Sequence, residues 1–233
     1  MNLDSNLKKG IAMTDLKRRS LVAALGAAPI AVPLLTHAQT IDVNSKFKQI
    51  SSRERIRQRY FPNLELTSHE GRKLKFYDDM VKDKLVIFNM FYAKCEGICS
   101  PITRNLVRVQ NILGDRVGKD IFMYSFTLKP KEDNVIALKH YAEMHKVKPG
   151  WLFLTGSPED METLRQKLGF TDPDPKLDKD VSNHIGVIKY GNEQLERYGG
   201  CPGMSTPEWI AETISWVDWP KNSAHVSAIG GAK

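Results

Sequence analysis

Three nearly continuous apolar runs divide the middle of this chain. They predict strands buried on both faces, and they occupy residues 84–93, 121–128 and 151–156. After the first run the period changes, because apolar residues recur every three or four positions: Ile102, Leu106, Val109 and Leu113. That spacing predicts a helix, which Gly114 ends. Residues 134–147 are also predicted to be helical, so strands and helices alternate.

The flanking segments add two hairpins and two helices. Residues 61–79 alternate apolar and polar positions around His69-Glu70-Gly71, which predicts an N-terminal hairpin. Ser157 and Pro158 provide an N-cap and a first-turn proline for a helix that ends near Gly169.

A C-terminal hairpin is predicted to turn at Gly191-Asn192, and a last helix to run from Thr206-Pro207 through Trp216. Together the elements predict an α/β fold. We expect a thioredoxin-like three-layer sandwich with a central mixed sheet, an N-terminal hairpin, and a C-terminal hairpin plus helix.

The first 38 residues have the layout of an export signal. A basic stretch that includes Arg18-Arg19 precedes an apolar segment from Leu21 to Leu35, and a small-residue cleavage site follows. The paired arginines favour the twin-arginine route and a periplasmic location. An uncut membrane anchor is the alternative, although 15 apolar residues fall short of the ~20 that span a bilayer.

The remaining residues are predicted to form one domain with extensions. We expect residues 39–60 to form a basic N-terminal arm, 61–220 a thioredoxin-like domain, and 221–233 a tail. The arm suits either a solvated surface or contact with an acidic partner or an anionic membrane surface. Without residues 1–38, which hold five Lys/Arg and two Asp/Glu, the formal charge falls from +7 to +4. No nucleic-acid motif accompanies it, so no nucleic acid is expected as a partner.

Two cysteines four positions apart follow the first buried strand. Pro101 fits the first turn of the predicted helix, with Ser100 as its cap, so Cys95 and Cys99 are expected in the loop before the helix. A helix N-terminus lowers the pKa of a nearby thiol and makes thiolate available. The pair can therefore be a redox couple or a soft-metal site. A structural disulfide remains the third alternative.

A metal site would need a further ligand. Two cysteines suit copper(I), and an imidazole can complete a trigonal site that also holds copper(II). His184 lies just before the C-terminal hairpin strand, but its spacing alone does not distinguish a ligand from a solvated loop residue.

The order of these features resembles the Sco/SenC family. Its members share a Cys-x3-Cys motif after a buried strand, a strand such as WLFLTG, and a histidine before an Ile-Gly-Val strand. The likeness covers residues 61–219. It implies a thioredoxin-fold copper metallochaperone for the dinuclear copper site of cytochrome c oxidase, with Cys95, Cys99 and His184 as copper ligands. Two positions depart from the usual pattern, since Ser100 precedes Pro101 and Lys129 replaces an aspartate before Pro130.

The resemblance implies that the redox state of Cys95 and Cys99 gates copper delivery. The expected partners are a copper-dependent respiratory enzyme or another copper carrier, together with a thiol reductant. One alternative function is a thiol–disulfide oxidoreductase that uses the same catalytic pair to keep client cysteines reduced. Another is a non-catalytic accessory subunit that docks through its basic arm.

Cys201 is the third cysteine and is predicted to lie beside the metal loop. A two-residue turn at Gly191-Asn192 would pair Ser182 with Cys201 and place His184 nearby. Cys201 could then be an extra copper ligand or a resolving thiol, with Met204 as a thioether donor. The alternative is a small buried hydrophobic residue.

Overall fold

The chain folds around one seven-stranded mixed sheet. The computed structural model describes residues 50–95, 97–180, 183 and 186–218. In the sheet the strand order is β2-β1-β5-β4-β3-β6-β7. Its strands are β1 (Glu65–Ser68), β2 (Lys73–Lys75), β3 (Leu85–Phe91), β4 (Ile121–Thr127), β5 (Trp151–Thr155), β6 (Val187–Asn192) and β7 (Arg197–Pro202).

The three apolar runs form the centre of the sheet. β3, β4 and β5 are parallel, whereas β1 pairs antiparallel with β5, and β6 pairs antiparallel with β3. All residues of β3 and β5 are buried, as the continuous apolar sequence predicted. Because Phe91 pairs with Thr127, the segments that follow β3 and β4 leave the sheet at the same edge.

Helices cover both faces and form two apolar cores. The helices are α1 (Ser52–Tyr60), α2 (Cys99–Leu113), α3 (Val135–Met144), α4 (Pro158–Lys167), α5 (Pro175–Asp178) and α6 (Pro207–Trp216). One core joins the sheet to α2, α3 and α6, and the other joins it to α4 and to a π-helical turn at Phe76–Val81. The predicted three-layer α/β sandwich is confirmed. No helix among the described residues is long and apolar enough to cross a membrane.

The predicted helix signals at α4 and α6 are confirmed. The Ser157 side chain accepts a hydrogen bond from the Asp160 N–H, and the Thr206 side chain accepts one from the Trp209 N–H. A proline occupies the first turn of each helix. Gly114 ends α2 with φ of 60°, a conformation that favours glycine.

The predicted turn of the C-terminal hairpin is wrong. Gly191 and Asn192 belong to β6, and the turn spans residues 193–196. Gly191 pairs with Tyr198, whose ring would lie only 2.2 Å from a Cβ atom at that position. The glycine therefore permits a close cross-strand approach instead of a turn. Consequently Cys201 pairs with Ile188, not with Ser182.

Part of the predicted basic arm is a helix held on the domain. Ser51 caps α1, and the Arg53 guanidinium binds the carboxylate of Glu193 in the β6–β7 turn. All described residues belong to one compact unit, 48–233. The expected signal at residues 1–38, the first part of the arm and the tail at 221–233 lie outside the described residues, and the domain boundaries stay a prediction.

Candidate metal and redox site

Cys95 and Cys99 lie where β3 passes into α2, at one edge of the sheet. Cys99 is the first residue of α2 and is buried, whereas Cys95 stays in the preceding loop and is partly exposed. The expected cap is wrong, because Ile98 occupies the cap position and makes no side-chain hydrogen bond there. The Ser100 side chain instead contacts the Tyr141 hydroxyl on α3. Cys99 is therefore fixed by the helix, and Cys95 by its loop.

The two cysteine side chains are hydrogen-bonded to each other and are not joined as a disulfide. The Cys95 sulfur also accepts hydrogen bonds from the backbone N–H groups of Cys99 and Gly97 and from the Tyr92 hydroxyl. The Tyr92 backbone makes a further bond to the Cys99 sulfur. Tyr92 thus contacts both sulfur atoms, through its side chain and its main chain respectively.

These contacts make the two thiols chemically unequal. Burial raises the pKa of the Cys95 thiol, but the hydrogen bonds to its sulfur outweigh burial and hold that pKa below its ordinary value. Burial and the neighbouring Cys95 sulfur raise the pKa of Cys99 to about 12. The hydrogen bond to Cys95, followed by burial, raises the pKa of Tyr92 to about 12. Cys95 is therefore the more available thiolate and the expected nucleophile.

A buried carboxylate supports the start of the cysteine loop. Asp133 is 2% exposed and accepts a 3.0 Å hydrogen bond from the Ala93 N–H and a 2.5 Å bond from the Thr127 hydroxyl. The same Thr127 hydroxyl oxygen accepts a 2.9 Å bond from the Lys129 N–H. Asp133 thus joins the segment after β4 to the segment before Cys95, and fixes where the loop leaves the sheet.

Sequence reasoning did not identify Tyr92 or Asp133 as site residues. Tyr92 is three positions before Cys95, and a hydroxyl so close to a candidate nucleophile was the one available signal. Asp133 is 38 positions from Cys95, and only the parallel pairing of β3 with β4 brings it to the loop.

Cys201 is buried in the same core as Cys99, at 3% exposure. Its side chain hydrogen-bonds Thr213 on α6, and burial raises the pKa of its thiol. These contacts favour the packing role that the sequence left open. Met204 lies on the loop after β7 and is 58% exposed.

The remaining candidate ligands are the histidines. His184 lies outside the described residues, so its place relative to the cysteines stays a prediction. Among the described residues, no group of three or more His, Cys, Asp or Glu side chains is arranged to hold a metal ion. His69 accepts a hydrogen bond from the Phe153 N–H, and the His145 ring packs on Tyr141 with 4.5 Å between centroids.

The cysteine pair itself suits a soft metal ion. Two adjoining sulfur donors, one of them readily deprotonated, fit the preference of copper(I) for thiolate. Because Cys99 carries its proton at neutral pH, metal binding there would release a proton. The same pair is also placed to close a disulfide, which would remove both donors.

The chain matches one known protein family. The family model described as SCO1/SenC matches residues 52–215. No curated protein matches the chain.

Several solved structures share the fold at low sequence identity. A SCO1/SenC family lipoprotein from Bacillus anthracis is 19% identical, with a TM-score of 0.54, and covers 66% of this chain and 92% of its own. Yeast Sco1, solved with copper bound, is 17% identical, with a TM-score of 0.54, and covers 71% and 98%. BsSco, described with a disulfide switch as a member of the Sco family of cytochrome c oxidase assembly proteins, is 19% identical, with a TM-score of 0.53, and covers 66% and 90%.

Proposed function

The chain belongs to the SCO1/SenC family, and from that membership we propose that it is a periplasmic copper metallochaperone. Its client is a copper-dependent respiratory enzyme such as cytochrome c oxidase, whose dinuclear copper site would receive the metal. The observation that carries the proposal is the reduced, hydrogen-bonded pair of Cys95 and Cys99 at the start of α2. Two adjoining soft donors are the minimum that copper(I) needs.

In the proposed mechanism Cys95 and Cys99 bind copper as thiolates, with His184 as the third ligand. The hydrogen-bond donors around Cys95 hold its thiol pKa below its ordinary value and so favour the thiolate, and they hold its sulfur in place. Cys95 is also the more exposed of the two, so a client thiolate would approach copper from its side. A three-coordinate site leaves room for this incoming sulfur, and copper then passes by ligand exchange.

The redox state of the pair controls this transfer. An external disulfide oxidises the Cys95–Cys99 dithiol by exchange and leaves as two thiols, which take up the two protons of the pair. The resulting Cys95–Cys99 disulfide offers no thiolate donor, so the oxidised protein would not hold copper. Reduction by an external thiol restores the site. The disulfide switch described for BsSco supports the same control here.

The second candidate function is a thiol–disulfide oxidoreductase that keeps client cysteines reduced. The inequality of the two thiols favours it. A partly exposed Cys95 with a lowered thiol pKa is suited to attack a disulfide, and the buried Cys99 to resolve the mixed disulfide. This function needs no third ligand, so His184 separates the two candidates.

Copper(II) titration of the reduced protein tests the ligand set. We expect His184→Ala to weaken copper(II) binding strongly while disulfide formation between Cys95 and Cys99 continues at the wild-type rate. His140→Ala is the matched control, because His140 is exposed on α3. Unchanged copper(II) affinity in His184→Ala would refute the ligand set. Absent copper binding with rapid reduction of client disulfides would establish the second candidate instead.

A further inference from the structure

Lys129 places a positive charge close to the cysteine loop. Its Nζ lies 4.3 Å from the centroid of the Tyr92 ring, in cation–π contact, and the Tyr92 hydroxyl bonds the Cys95 sulfur. One aromatic ring therefore separates this ammonium group from the reactive sulfur.

Backbone contacts fix Lys129 in that place. The adjoining Leu128 N–H donates a 2.8 Å hydrogen bond to the Phe91 carbonyl, and the Lys129 N–H donates to Thr127. Asp133 then joins this segment to Ala93. These bonds fix the main chain on both sides of the contact, so the Lys129 side chain is anchored within reach of the Tyr92 ring.

The charge of Lys129 is only weakly compensated. The carboxylate of Glu132 is 4.0 Å away and 54% exposed, a pair that water screens. The Asp133 carboxylate is buried and already accepts two hydrogen bonds, and Asp180 adds a negative charge near Tyr92. Lys94 and Lys131 are exposed in the two adjoining segments and add positive charge at this edge.

We propose that Lys129, carried on the Tyr92 ring, selects partners with acidic residues beside their reactive cysteine. The occupant of this edge is an acidic polypeptide segment of the client, which Lys129 attracts while its sulfur meets Cys95. This inference rests on the proposed function, because it assigns the client's chemistry at the same site. It holds equally for copper transfer and for thiol–disulfide exchange.

Thiol–disulfide exchange gives the most direct test. The Cys95 thiolate attacks a symmetric peptide disulfide and expels one peptide thiolate; the Cys99 sulfur then attacks Cys95 and expels the second. The reduced protein becomes the Cys95–Cys99 disulfide, and its two protons end on two peptide thiols. The probes are the disulfides of acetyl-Glu-Cys-Glu-amide and acetyl-Gln-Cys-Gln-amide.

The measured quantity is the rate ratio of the acidic over the neutral probe at low salt. The acidic probe carries two glutamates on each half. Taking the two on the attacked half at ~9 Å from Lys129 in water, we expect Lys129→Gln to lower this ratio about fivefold, and Lys129→Asp to lower it further. Lys129→Arg should keep the ratio. Lys119→Gln is the matched control, since Lys119 is exposed before β4 at the opposite edge of the sheet.

An unchanged ratio in Lys129→Gln, or an equal fall in Lys119→Gln, would overturn the inference. Binding of phosphatidylglycerol vesicles that depends on Lys129, with no change in the peptide ratio, would also overturn it and identify a lipid contact. Copper titration of the same variants separates this result from the proposed function. If Lys129→Gln leaves the ratio unchanged while the protein still binds copper, only the inference is refuted. If the ratio depends on Lys129 but the wild-type protein binds no copper, only the metallochaperone is refuted.

Discussion

Replacement of Arg53 by methionine tests whether α1 is an integral part of the domain. The Glu193 side chain is only 2% exposed and accepts hydrogen bonds from the Arg53 guanidinium, the Tyr77 hydroxyl and the Asp83 N–H. Arg53→Met removes the charged partner and leaves two neutral donors. Breaking a buried ion pair costs ~3–5 kcal/mol. Because the Arg53 side chain is 38% exposed, water would reach the vacated space, and we expect about 2–3 kcal/mol.

Urea denaturation of the reduced protein measures this change. With a slope of ~2 kcal/mol/M, the midpoint should fall by roughly 1 M. Arg55→Met is the matched control, because Arg55 is exposed on the same helix and its loss should cost under about 0.5 kcal/mol. Equal midpoints for the two variants would refute the reasoning and show that α1 contributes little to the domain.

The pH dependence gives an independent check. Burial raises the pKa of Glu193, but the bonds from Arg53, Asp83 and Tyr77 outweigh burial and hold it below its ordinary value. A carboxylate with a lowered folded-state pKa stabilises the protein above its unfolded pKa of ~4.3 and loses that contribution as the pH falls through the folded value. The difference in free energy of unfolding between wild type and Arg53→Met should therefore be largest at neutral pH and become smaller in acid. A difference that grows in acid would contradict this assignment.

Three further outcomes follow from the site and the N-terminus. Iodoacetamide should modify Cys95 at least about tenfold faster than Cys99 or Cys201, as measured by peptide mass spectrometry. Among the three cysteines only Cys95 is both partly exposed and lowered in pKa. Preferential labelling of Cys99 would contradict the assigned roles. Asp133→Ala should lower the free energy of unfolding by about 2–3 kcal/mol in urea denaturation, because the Ala93 N–H and the Thr127 hydroxyl lose their acceptor. A midpoint shift no larger than that of the control Glu132→Ala would contradict the role assigned to Asp133. Changing Arg18-Arg19 to Lys-Lys should abolish export. N-terminal sequencing of the wild-type periplasmic protein should show that residues 1–38 are absent, whereas an intact, membrane-bound N-terminus would support the anchor.

Local signals predicted the elements that depend on local chemistry. The apolar runs identified β3, β4 and β5, and the capping residues Ser157 and Thr206 located two helix starts. In each case a pattern of adjacent residues is enough to predict the element. A continuous apolar run indicates a strand buried on both faces, and a capping side chain bonds the first helical turn.

Predictions failed where distant residues decide the structure. The Gly191-Asn192 pair has the composition of a hairpin turn, but Tyr198 packs across Gly191, and Glu193 is bound by Arg53. The turn therefore begins at Glu193 instead. The helical start at Cys99 likewise depends on Tyr141, which engages the Ser100 side chain that local reasoning assigned as a cap. The cysteine pair was evident from the sequence, whereas its supports, Tyr92 and Asp133, required the fold.

Copper(I) titration in the presence of a competing chelator tests the central claim most directly. It compares the fully reduced protein with the protein whose Cys95 and Cys99 form a disulfide, and uses Cys201→Ser as the matched control for loss of one thiol. We predict one tightly bound copper ion per reduced chain, the same stoichiometry in reduced Cys201→Ser, and none in the disulfide form. Equal copper(I) binding by the reduced and disulfide forms would contradict the account.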